Sequence, residues 1–230
     1  MDLVKNIFSY DTSVCVCCNN KKLIKNMAID KGVVGICNNC IKTFEFTMGE
    51  GAFEGKEFVS YVMAPLYYRG GARKMIKNLK FYDEFAASKV IFEIFKNILE
   101  DAPHLADFDM VVPIPLSYKK MNNRGYNQAA LIANCVATHL CIPMCEDVVK
   151  RVKNTATQSK MSQMRRIANV RDAFLADEGV KGKRIVLVDD VYTTGNTLNS
   201  CAKAFIDKKA LEVVGVSVAV SLKNSNSVYR

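Results

Sequence analysis

The chain has 230 residues, 50% of them hydrophobic, and a net charge of +9. That suffices for one domain with an appendage or for two small ones. No run approaches the ~18 apolar residues needed to cross a bilayer, and Met1-Asp-Leu-Val-Lys-Asn6 carries no secretory pattern, so membrane insertion and export are not expected and the cytoplasm is the expected location.

The N-terminal segment holds Cys15-Val-Cys17-Cys18 and Cys37-Asn-Asn-Cys40. Cys15 with Cys18, and Cys37 with Cys40, form two C-x-x-C pairs at the separation of a four-cysteine zinc ribbon. Each such turn presents two thiolates to one side. A segment this short and this poor in apolar residues needs a staple to fold. With four thiolates and no open position, the zinc is expected to be structural. Cys17 is an extra thiol, which either competes as a ligand or sits beside the knuckle.

Gly49 to Lys56 marks a change in composition and reads as a turn ending the ribbon. It is no phosphate-binding P-loop: the Gly51 to Gly55 spacing is one residue short, and Glu57 stands where Ser or Thr is required. Glu57 to Tyr68 is rich in Val, Tyr and Phe and predicts a strand or hairpin. Ala72 to Lys80 and Asp83 to Leu99 have helical spacing. Asp109 to Pro115 is a short buried strand stopped by two prolines. Ser117 to Gln128 is read as a polar, basic loop, followed by a helix over Ala129 to Leu140. Asp147 to Val152 is read as a third strand, Lys153 to Ser159 as a polar loop, and Lys160 to Arg171 as a basic helix. Leu211 to Val220 is a last β-branched strand, and Lys223 to Arg230 is expected to fray.

Charge is concentrated rather than spread. Leu116 to Arg171 contains ten Lys and Arg against Glu146 and Asp147, which accounts for nearly all of the net charge. Such a block indicates either an anionic partner or a solvated basic face.

The central stretch is Lys183-Arg-Ile-Val-Leu-Val-Asp-Asp-Val-Tyr-Thr-Thr-Gly-Asn-Thr197. Its apolar run, Ile185 to Val188, suits a strand buried on both faces of a parallel sheet. Asp189 and Asp190 end that run, and a helix is predicted over Leu198 to Lys208. Ligands of such sheets bind beyond the carboxyl ends of the strands. There the Thr and Gly backbone N–H groups can cradle a phosphate. The carboxylates can hold sugar hydroxyls or a hard cation. The stretch therefore reads as a site for a phosphorylated sugar, in a parallel α/β sheet flanked by helices.

Val186-Leu-Val-Asp-Asp-Val-Tyr-Thr-Thr-Gly-Asn-Thr197 resembles the phosphoribosyl-pyrophosphate (PRPP) signature of type I phosphoribosyltransferases. Several elements follow in order: the four-cysteine ribbon, Val111-Val-Pro-Ile-Pro115, Arg124-Gly-Tyr-Asn-Gln128, and Thr157-Gln158 with Arg166 and Asn169. Together with the signature they resemble the ComF family, competence-associated proteins of bacterial DNA uptake with a phosphoribosyltransferase-like domain. The resemblance implies a zinc ribbon over 1–47 and a type I phosphoribosyltransferase-like domain over 48–230. It implies that Asp189 and Asp190 are the catalytic pair, meeting the ribose hydroxyls directly or through Mg²⁺. Thr193, Thr194, Gly195, Asn196 and Thr197 would hold the 5′-phosphate. Pro115, Lys119, Lys120, Arg124, Arg151 and Lys153 would meet the pyrophosphate, with Arg151 to Lys160 as a closing loop.

The chemistry agrees with that assignment. Displacing pyrophosphate from an anomeric carbon builds negative charge on the leaving group, which cations stabilise. Water must be excluded from the sugar cation. Some purine-using relatives carry an acidic residue shortly after the paired aspartates. Here Val191, Tyr192, Thr193 and Thr194 stand instead, so no general base and no acceptor is named. The expected activity is PRPP-dependent phosphoribosyl transfer in natural transformation. The alternative is a non-catalytic PRPP sensor binding single-stranded DNA or proteins of DNA uptake. For that alternative Tyr118 and Tyr126 are stacking candidates, although packing is their expected role.

Overall fold

A computed structural model describes residues 15–20, 35–47, 52–79, 84–152 and 173–221. Its helices are α1 (Asn38–Ile41), α2 (Gly70–Asn78), α3 (Glu84–Glu100), α4 (Tyr118–Arg124), α5 (Gln128–Leu140) and α6 (Asn196–Asp207). Its strands are β1 (Ala52–Glu54), β2 (Tyr61–Met63), β3 (Leu66–Tyr67), β4 (Met110–Pro113), β5 (Val149–Arg151), β6 (Phe174–Ala176), β7 (Arg184–Tyr192) and β8 (Glu212–Val220).

The main sheet runs β1-β2-β8-β7-β4, and β3 also pairs with β8. Every pairing in it is parallel except that of β1 with β2. The centre is β7 against β8, in register from Arg184 opposite Glu212 to Tyr192 opposite Val220. Both strands are rich in Val and lie between layers, which is why their apolar residues run on without alternating. On one face Val186, Val188, Val214, Val216 and Val218 pack with Val90, Ile91 and Phe95 of α3 and Ile132 and Val136 of α5. On the other, Ile185, Leu187 and Val213 pack with Leu198, Cys201 and Phe205 of α6 and with Val149 and Phe174.

The cysteine segment joins the first of these cores. Asn78, the last residue of α2, donates to the carbonyls of Val16 and Cys17, each at 3.0 Å. At the other end of α2, Gly71 N–H donates to Thr43 O at 3.1 Å. A Cβ on Gly71 would stand 2.3 Å from the Phe44 ring, so only glycine admits this approach. Phe46 bridges Leu66 in antiparallel fashion, which continues the docking into the sheet.

Three expectations need correction. Ser117 to Gln128 is not a loop throughout: Tyr118–Arg124 forms α4, closed by Gly125 in the left-handed conformation at φ 79°. The strand predicted over Asp147 to Val152 exists as β5 but does not join the parallel sheet. It pairs antiparallel with β6 in a separate two-stranded ribbon, Arg151 opposite Phe174. Part of the turn read between Gly49 and Lys56 is strand β1. The loop and basic helix expected over Lys153 to Arg171, and the tail Lys223 to Arg230, lie outside the described residues.

Candidate functional site

The site forms at the carboxyl edge of β4 and β7. Pro113 is the register partner of Val188, and Ile114 N–H donates to Val188 O at 2.8 Å. The edge therefore brings Pro115 and α4 alongside Asp189 and Asp190. The two aspartates are coupled locally, since Asp190 N–H donates to Asp189 Oδ1 at 2.9 Å. Burial, and then the charge of Asp190, push the Asp189 carboxyl up to about 8, while Lys120 pulls it down. The residue keeps partial exposure, but protein surrounds its carboxyl group. Its neighbour on β8 is Ser217, fully buried, whose hydroxyl has no hydrogen-bond partner among the described residues.

Arg151 comes to the same place from β5. Its guanidinium lies 5.4 Å from the centre of the Phe174 ring. Burial lowers its pKa and the Asp189 charge raises it. The Cys201 thiol of α6 is pushed up by burial first and by Asp189 second, with Arg151 acting in the opposite sense. Lys120 and Arg151 are thus each within electrostatic reach of Asp189, although the three come from separate elements. Lys119 and Arg124 lie on α4 with Lys120. Lys153 lies outside the described residues.

Beyond Asp190 the chain turns through exposed Thr193 and Thr194 into α6. Gly195 caps that helix at φ 69°, a left-handed conformation suited to glycine. Asn196 and Thr197 form its first turn, which carries no acidic residue. The first N–H groups of a helix lack intrahelical acceptors and face the positive end of its dipole. An anion placed there would meet them directly.

Some contacts at this turn are not legible from spacing. Tyr192 Oη donates to Glu54 O at 3.2 Å. Lys56 Nζ donates to Asn196 Oδ1 at 2.5 Å. Phe58 N–H donates to Asn199 Oδ1 at 3.0 Å. The β1–β2 connection therefore braces the turn after β7. Of the two tyrosines expected to pack, Tyr126 is half-buried, but Tyr118 is 78% exposed, so packing does not account for it.

At the other end of the chain, the Sγ atoms of Cys15, Cys18, Cys37 and Cys40 all lie within 4.8 Å of one another. Cys18 Sγ and Cys37 Sγ are 3.9 Å apart. A tetrahedron with Zn–S bonds of about 2.3 Å has edges of about 3.8 Å, so the donor set fits zinc. Cys37 N–H donates to Cys15 Sγ at 3.3 Å. The hydrogen bond from Cys17, opposed by burial and helped by that N–H group, brings Cys15 down to about 3. The same Cys15 contact, then burial, holds Cys17 up as a thiol. Cys17 is not one of the four clustered donors.

A parallel sheet with a two-stranded ribbon beside it, and an aspartate pair running into a glycine-capped helix, define a phosphoribosyltransferase-type domain. The family model for the phosphoribosyl transferase domain matches residues 127–228. Competence protein F of Haemophilus influenzae is 30% identical over 173 residues, covering 73% of this chain and 70% of that protein. This chain belongs to the ComF family. DNA utilization protein YhgH of Escherichia coli is 33% identical over 105 residues, 46% of each chain. Competence protein ComFC of Bacillus subtilis is 33% identical over 99 residues, 43% of this chain and 39% of that one. No helix among the described residues is long and apolar enough to cross a membrane.

Proposed function

We propose that this protein binds PRPP with Mg²⁺ at the carboxyl edge of β7 and acts in DNA uptake in the cytoplasm, as a phosphoribosyltransferase whose acceptor is unnamed. The observation that carries the reading is the coupled pair Asp189 and Asp190 at the end of β7, just before the Gly195 cap of α6, with Lys120 and Arg151 each within electrostatic reach of Asp189. In this reading Thr193 to Thr197 hold the 5′-phosphate at the α6 N-terminus. Asp189 and Asp190 offer oxygen donors to the ribose hydroxyls and to Mg²⁺, a hard cation that suits such donors and would neutralise charge on the pyrophosphate. Lys120 and Arg151 face the leaving group, with Pro115, Lys119, Arg124 and Lys153 supplying the rest of that subsite. The role in DNA uptake is supported by the names of the relatives, competence and DNA utilization proteins. Zinc at the four cysteines is structural and holds the N-terminal segment on α2.

Calorimetric titration with PRPP and Mg²⁺ tests the site. The Asp189→Asn/Asp190→Asn variant should bind at least about tenfold more weakly, the loss of more than one charge-assisted contact. Equal affinity in the two proteins removes the assignment. Pyrophosphate release in the presence of candidate acceptors, nucleobases and DNA ends among them, then separates an enzyme from a sensor.

A second reading, a protein that binds single-stranded DNA next to this site, is favoured by the exposure of Tyr118 on the lysine-bearing α4. An exposed aromatic among cations suits base stacking and phosphate tracking. Affinity for a single strand that does not fall with added salt would count against it.

A further inference from the structure

We propose that Lys56, in the connection between β1 and β2, is a ligand of the 5′-phosphate and makes the site selective for 5-phosphorylated ribose. This rests on the binding of PRPP proposed above. Lys56 lies far outside the segment matched by the phosphoribosyl transferase model, in a stretch whose glycine spacing fails as a phosphate loop. The fold nevertheless delivers it to the phosphate-binding turn of another element. Its Nζ donates to Asn196 Oδ1, on the first residue of α6.

Its backbone is held in place. Val59 N–H donates to Lys56 O at 2.7 Å, closing a tight turn. A Cβ on Gly55 would lie 1.8 Å from Val59 O, so the turn requires glycine there. On the strand side, Ser60 N–H donates to Val213 O at 2.9 Å, which anchors the connection to β8. On the helix side, Phe58 N–H is bonded to Asn199 and Glu54 O accepts from Tyr192. The connection that carries Lys56 is thus braced on two sides, and its solvent-exposed ammonium reaches the α6 N-terminus through Asn196.

The electrostatics of that location favour a third participant. The α6 N-terminus carries positive partial charge, and no acidic residue occupies its first turn. A lysine there sees charge of its own sign, and its hydrogen-bond partner is a neutral amide. An anion between the ammonium and the helix N–H groups turns both interactions favourable. A phosphate monoester fits this position: it accepts from the N–H groups on one side and from Lys56 on the other. Asn196 then serves as the resting acceptor that keeps the ammonium close to the turn.

The test is calorimetry on the full chain, comparing wild type with Lys56→Ala and Lys56→Arg. The probes are PRPP with Mg²⁺, ribose 5-phosphate, and pyrophosphate with Mg²⁺. Lys56→Ala should lose about tenfold or more in affinity for PRPP and ribose 5-phosphate, and should keep wild-type affinity for pyrophosphate. Lys56→Arg should recover most of the loss. Unchanged affinity of Lys56→Ala for PRPP overturns the role of Lys56 and leaves the PRPP site standing. An equal loss for pyrophosphate also overturns it, because that pattern marks general damage to the site. No PRPP binding by wild type removes the PRPP site and this role together.

Discussion

Gly195 sits directly against Tyr192: a Cβ on the glycine would stand 2.8 Å from both Cε2 and the hydroxyl of the tyrosine. The turn after β7 is therefore closed by a ring pressed on a bare backbone, at a residue whose φ of 69° already favours glycine. The same ring is tethered through its hydroxyl to Glu54 on β1, so strand, turn and hairpin form one assembly. Gly195→Ala meets both the conformational and the steric obstacle. It should cost about 1–3 kcal/mol of stability and displace the turn enough to abolish PRPP binding. Tyr192→Phe keeps the ring and loses one hydrogen bond, about 1 kcal/mol, with little change in affinity. Urea unfolding and calorimetry on both variants check this; a Gly195→Ala protein that binds like wild type would sink the account of the turn.

The four-cysteine cluster and its buried neighbour Cys17 should separate cleanly in a metal assay. Cys18→Ser removes one of the four clustered donors and should lower bound zinc from one per chain to well below that. Cys17→Ser removes a thiol kept protonated by Cys15 and by burial, and should retain the metal. Atomic absorption on reduced preparations gives the stoichiometry. Chelation should loosen 15–20 and 35–47 before the sheet, because ligand binding there contributes folding energy, and hydrogen exchange would show the order. Zinc lost equally from both variants would mean that Cys17 is a ligand.

How much of this was legible follows from which signals are local. The β7 strand, its aspartates and α6 were readable because a doubly buried strand writes an unbroken apolar run, Ile185 to Val188, and the turn writes Thr-Thr-Gly. The helix α4 was missed because Tyr118 and Met121 are its only large apolar residues among Lys, Asn and Arg, and both are exposed, so no buried face marks it. Strands β1 and β6 span three residues each, too few to show a period. The placement of β5 depends on β6 rather than on its own residues. For the site, Lys56 and Asn199 carried no signal, since their contacts are 140 and 141 residues away in the chain. Ser217 did carry one: it is the single hydroxyl within the apolar run of β8, beside Asp189.

At the opposite edge of the sheet, Asp109 offers a control unrelated to ligand. Its carboxylate accepts from Arg184 N–H and from Lys183 Nζ, each at 2.8 Å. The backbone hydrogen bond first and Lys183 second hold its pKa below the usual carboxylate value. A depressed folded pKa means that the stability is present above the unfolded value of 3.8 and is lost as pH falls below it. Both partners are partly exposed, so the effect is modest. Asp109→Asn should cost about 1 kcal/mol at neutral pH, less in acid, and should leave PRPP affinity unchanged. Chemical unfolding across that pH range tests the sign; a cost that grows towards acid pH would contradict it.

Asp189 should behave in the opposite sense. Burial and the Asp190 charge raise its carboxyl from 3.8 to about 8. Between those values the folded chain keeps a proton that the unfolded chain has released. The neutral carboxyl therefore contributes stability that is complete below the unfolded pKa and is lost as pH rises through the folded one. The Asp189 contribution to stability should therefore fall between about pH 4 and about pH 8, read as the difference in pH dependence between ligand-free wild type and Asp189→Asn, which cannot ionise. Binding runs the other way. Holding Mg²⁺ or the ribose hydroxyls needs the carboxylate, so the proton must leave. Affinity for PRPP with Mg²⁺ should rise with pH over the same window, with up to about one proton released per chain at neutral pH. Calorimetry in two buffers of different ionisation enthalpy counts that proton. No release by wild type, or the same release by Asp189→Asn, would show that this carboxyl is not the group exchanging a proton for the ligand.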